Sequence, residues 1–68
     1  MEMRRLYFRV IEREDGSWAC HHDPHDIDRH DHRDQALWHI AEIASDHRPS
    51  RILLHHLDGR VVSIATLD

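Results

Sequence analysis

Two Asp-Gly pairs, Asp15-Gly16 and Asp58-Gly59, punctuate this chain, and each sits between short runs of alternating apolar and polar residues. That arrangement is what a β-hairpin requires, because glycine supplies a positive φ and Asp tolerates the turn position beside it. Ahead of the first pair, Leu6, Phe8 and Val10 alternate with Tyr7, Arg9 and Ile11, so residues 6–12 read as a strand with two distinct faces. Behind it, residues 17–21 place Trp18 and Cys20 on one face and Ala19 and His21 on the other. Residues 51–57 and 60–67 flank the second pair in the same way. Between the hairpins, Ala36, Leu37, Ile40, Ala41, Ile43 and Ala44 fall on one stripe at helical spacing, which predicts a helix from about His32 to Asp46. Asp31 is the expected N-cap, Asp34 complements the positive end of the helix, and Pro49 enforces the stop. Residues 22–31 read as a loop, since Pro24 removes a backbone donor and apolar periodicity is lost. The expected architecture is α+β in the order ββαββ: an antiparallel sheet with one helix packed on one face and the other face open.

Sixty-eight residues make one expected domain, 1–68. A chain of this size buries only about 60% of the surface its unfolded form exposes, so its stability margin is thin and a homodimer would add to it. A single cysteine forms no internal disulfide, and the chain opens without a leader-like segment, so a reducing, cytoplasmic setting is expected. No uninterrupted apolar run exceeds three residues, as in Ile52-Leu53-Leu54, and no membrane-spanning helix is expected.

The chemistry is concentrated in residues 20–34, Cys-His-His-Asp-Pro-His-Asp-Ile-Asp-Arg-His-Asp-His-Arg-Asp. The stretch holds five of the nine histidines, five of the thirteen acids and the only cysteine. Its five Asp and two Arg give −3 of the chain's net −4. With acidity this local and no basic stripe, direct nucleic-acid binding is not expected.

Two functions compete for the segment. In the first, Asp23, Asp26, Asp28, Asp31 and Asp34 recur every two or three residues. On an extended chain their carboxylates would stand about 7–10 Å apart, comparable to the phosphate repeat of one DNA strand. Such a row would enter the basic groove of a protein or nucleoprotein complex and speed the encounter. Trp38 lies about 140° from the centre of the apolar helical stripe, beside Glu42, and would supply a hydrophobic anchor. This reading expects a non-catalytic, DNA-mimicking inhibitor of the anti-CRISPR kind, with no cofactor. In the second, His21, His22, His25, His30 and His32 bind zinc or nickel, with Cys20 nearby. The donors are ample for a tetrahedral ion. However, His21 and His22 are strand neighbours that point to opposite faces, and the remaining three meet only if the loop folds back. A third option is a structural homodimer without further chemistry. Catalysis is not expected: Cys20 beside His21 or His22 suggests a thiol and a base, yet the thiol falls on the core face, where it acts as a small hydrophobe.

The same landmarks resemble a family of very small bacterial and phage proteins, a domain of unknown function. The matching features are Tyr7 and Val10, then Asp15-Gly16-Ser17-Trp18-Ala19, then Asp31 with Ala36, Ala41, Ile43 and Ala44, and finally His55-His56-Leu57-Asp58-Gly59-Arg60. The resemblance spans roughly residues 7–62 and implies a fold and a bacterial or phage-infected host cell, with little on function. The chain departs from the family pattern in having no lysine and in the His/Asp-rich link between second strand and helix.

Overall fold

The structure, a computed structural model, describes residues 4–22 and 25–68. Five strands and one helix follow in the order β1 (Leu6–Glu12), β2 (Trp18–His22), β3 (His25–His30), α1 (Arg33–Ser45), β4 (Ser50–His55) and β5 (Val61–Leu67). They form one mixed sheet in the spatial order β3-β2-β1-β4-β5, with α1 on one face.

Both expected hairpin turns form. Gly16 and Gly59 adopt φ of 87° and 94°, the left-handed region that glycine occupies without strain. Each preceding Asp closes its turn with the side chain. Asp15 accepts from the Ser17 amide at 2.9 Å and the Ser17 hydroxyl at 2.6 Å, and Asp58 accepts from the Arg60 amide at 2.9 Å. These hydrogen bonds stabilise the charged form and hold both carboxyls below the ordinary Asp range.

The core is the layer between α1 and the sheet. Phe8 and Val10 from β1, Cys20 from β2 and Ile52 and Leu54 from β4 meet Ala36, Ile40 and Ala44 of the helix, with Leu37 and Ile43 partly buried beside them. The expected stripe therefore packs as read, except that Ala41 is exposed. Small residues at positions 36 and 44 let the helix approach closely, while Ile40 fills the centre. Ser50 closes the far end: its buried hydroxyl donates at 2.9 Å to the Ala44 carbonyl, which also accepts from the His47 amide at 3.1 Å. His47 Nδ1 donates to the Ile43 carbonyl at 2.9 Å in the same region.

Three expectations are corrected. Residues 25–30 are a strand, not part of a loop: β3 pairs antiparallel with β2, Trp18 opposite His30 and Cys20 opposite Asp28. The sheet is not wholly antiparallel, because β1 and β4 pair in parallel, from Leu6 opposite Ser50 to Ile11 opposite His55. The second correction follows from the first. With only two strands before the helix, the crossover would return β4 alongside β2 and hence against β1. The third strand reverses the entry into α1, so β4 leaves in the direction of β1, as a crossover between parallel strands requires. Finally, the N-cap is His32, without a side-chain capping bond, and not Asp31, although Asp34 does lie in the first turn. No helix among the described residues is long and apolar enough to cross a membrane.

Candidate metal centre

The added strand brings together groups that the sequence keeps apart. Cys20 lies on the helix-facing side of β2, and its pairing partner Asp28 projects to the same side of β3. His30 follows two residues later on that side, because side chains alternate along a strand. From above, α1 contributes His39, one helical turn beyond the buried Ala36 and therefore at the rim of the packed stripe. One ligand atom from each of Cys20, Asp28, His30 and His39 lies within 4.8 Å of every other.

The distances around this cluster are short. His39 Nδ1 is 2.8 Å from Asp28 Oδ2, His30 Nε2 is 3.2 Å from Asp28 Oδ1, and the two ring nitrogens are 3.3 Å apart. The imidazoles meet edge to face, with ring centroids 5.3 Å apart. Around a tetrahedral zinc ion, with bonds of about 2.0–2.3 Å, donor atoms stand roughly 3.3–3.8 Å from one another. The nitrogen–nitrogen and one nitrogen–oxygen separation are already at or near that spacing, so replacing the bridging protons by an ion requires small movements.

The thiol is the demanding member. Cys20 is fully buried, with Sγ 3.5 Å from the Ala36 carbonyl. Burial, followed by the negative charge of Asp28, pushes its pKa up to about 12. A thiol in that setting is neither a nucleophile nor an acid at neutral pH. A divalent cation changes the balance, since a coordinating thiol is deprotonated outright. One thiolate and one carboxylate would then neutralise a 2+ ion, leaving no net charge against the core. Cysteine and histidine together with a carboxylate suit zinc among the common divalent ions.

Of the histidines singled out from the sequence, only His30 enters this cluster. His21 points to the open face and pairs with Asp26 at 2.9 Å. His22 stacks on Phe8 at a centroid distance of 4.5 Å. His25 is exposed at the start of β3, and His32 is exposed at the helix entrance. His39 was absent from that set, as its role depends on a strand the pattern did not reveal. A partial signal does exist: Asp28 and His30, two residues apart, share a face of any strand, whereas the register shift that sets Asp28 opposite Cys20 is not written in the spacing.

The acidic row is divided. Asp23 lies outside the described residues. The β2–β3 register shifts between Cys20 and His21, so Asp26 turns toward His21 while Asp28 turns toward the cluster. Asp31 is exposed between strand and helix. Asp34, Trp38 and Glu42, each four residues from the next, lie on the solvent side of α1, where Trp38 is 74% exposed.

No family model, curated protein or solved structure matches the chain.

Proposed function

We propose that this protein is a small zinc-binding module whose ligands are Cys20, Asp28, His30 and His39. The observation that carries the reading is the convergence of four ligand atoms of suitable chemistry, from two strands and a helix, within 4.8 Å. A site with four protein ligands is closed, which is the pattern of structural zinc rather than of zinc that activates water. On this reading the ion joins β2, β3 and α1 and adds stability that a core of this size lacks. The test is a calorimetric zinc titration of untagged protein at neutral pH. One tightly bound ion per chain is expected, lost in His30→Ala and His39→Ala and retained in His21→Ala. Binding that survives His39→Ala, or that shows no fixed stoichiometry, would overturn the assignment.

A second reading, a docking face for a basic protein or nucleoprotein partner, is favoured by one observation. Trp38 stands exposed between two carboxylates, Asp34 and Glu42, on a single helix face. An arginine side chain laid on the indole would meet a negative group on either side. Trp38 fluorescence in a Trp18→Phe background, titrated with an arginine-rich peptide and its citrulline counterpart, tests it. Equal responses to the two peptides would sink this reading.

A further inference from the structure

We propose that β5 is the interface of a symmetric dimer in which the β5 strands of two copies pair antiparallel and join their sheets. β5 is the last strand on its side of the sheet, so one row of its backbone donors and acceptors faces no strand among the described residues. Proteins usually blunt such an edge with charge, proline or a covering loop. β5 carries neither charge nor proline, and its one irregularity is the bulge at Ile64: Val61-Val62-Ser63-Ile64-Ala65-Thr66-Leu67 is seven residues without a charge in a chain that is 32% charged. Val61, Val62 and Ile64 are all exposed, at 52%, 39% and 44%.

The flanking residues identify a second copy as the occupant. Uncharged β5 is bounded by Arg60 on one side and Asp68 on the other, both exposed. A two-fold axis at Ile64 sets Ile64 against Ile64 of the second copy, Val61 against Leu67 and Arg60 against Asp68. Both ends of the paired strands thus bring opposite charges together, and the symmetry supplies the contact twice. Each charge already has a local partner of opposite sign. Arg60 pairs with Asp58 at 3.0 Å and Asp68 with Arg5 at 2.9 Å. The dimer would extend these pairs into alternating chains, Asp58–Arg60–Asp68–Arg5, at each end. Ile64 is the extra residue where the β4–β5 register shifts, with Ala65 opposite Ile52 and Ser63 opposite Leu53. Ile64 is also the fourth of the seven β5 residues, at the middle of the strand, where the axis would pass.

Sedimentation velocity across a concentration series tests the proposal, with circular dichroism confirming that each variant folds. The wild type is expected to dimerise. Ile64→Arg is expected to be a folded monomer, and Ile27→Arg, on the opposite edge, to dimerise as the wild type does. Arg60→Asp should weaken the dimer by about tenfold or more, since it sets like charges together at two symmetric points. Adding Asp68→Arg to Arg60→Asp should restore it. A wild type that stays monomeric at every concentration overturns the proposal. So does a dimer broken by Ile27→Arg but not by Ile64→Arg. A folded double variant no better than Arg60→Asp alone overturns the antiparallel register.

Discussion

The sheet ends in two strands of opposite character. β3, at one edge, is polar and exposed along almost its whole length, and its one apolar residue, Ile27, faces solvent. Beyond its ladder with β2, it is held by polar side-chain pairs: Asp28 and His30 with His39, Asp26 with His21, and Arg29 with Asp15 at 3.6 Å. β5, at the other edge, is uncharged, and it reaches the core through Ala65 and Leu67. One edge is secured by polar pairing and the other by burial. An edge strand needs some source of cohesion beyond one ladder of backbone bonds, and that source decides what its sequence looks like.

This contrast predicts a hierarchy of effects. Zinc should act most strongly, and on β3. At a hundredfold excess over Kd a bound ion contributes about 2.7 kcal/mol, which for a domain of this size corresponds to a rise in Tm of roughly 10–20 °C. Calorimetric melting should register this rise, and amide exchange should slow in β3 with little change in β5. Equal slowing at both edges would break the comparison.

The pH dependence comes next. Because the folded state holds the Cys20 proton to about pH 12 against an ordinary value of 9.0, metal binding at neutral pH must expel it. Zinc affinity should therefore rise with pH by about tenfold per unit, or about 1.4 kcal/mol, between pH 7 and 9. In metal-free protein the sign reverses. The raised thiol pKa contributes stability that is complete below pH 9.0 and is lost as pH rises toward 12. Zinc titrations in buffers of different ionisation enthalpy count the released protons, and alkaline denaturation follows the second effect.

Substitutions at the two edges should be unequal. Leu67→Ala removes a partly buried side chain packed on the core and should cost about 1 kcal/mol by urea denaturation. Ile27→Ala should cost less than about 0.5 kcal/mol, as surface changes usually do. Similar losses would mean that β3 has an apolar anchorage of its own.

The same contrast explains which parts were legible in the sequence. The turns at Asp15-Gly16 and Asp58-Gly59, the helical stripe and the strands that bury one face all follow from local patterns. β3 did not, because a strand exposed on both faces has no apolar alternation, and Asp, His and Arg are poor strand formers outside their context. Without that strand the pattern offers no reason for the parallel pairing of β1 with β4, and the sheet reads as wholly antiparallel. The same gap hid His39, whose partners Asp28 and His30 lie on β3. Cys20 was correctly placed on the core face, but its neighbours depend on pairings that composition does not reveal.

The parallel pairing of β1 with β4 has a consequence for assembly. β1 and β2 join through a tight turn, as do β4 and β5, and β2 pairs with β3, the next strand in the chain, so each group can form from sequence neighbours. The seam between β1 and β4 joins residues as distant as Leu6 and Ser50, and its strands are aligned only after α1 has crossed the sheet. The slowest loop closure thus lies at the middle of the molecule and not at its rims. Pulse-labelled hydrogen exchange during refolding should find the β1–β2 amides protected before those shared by β1 and β4, and simultaneous protection would mean that helix and seam condense in one step.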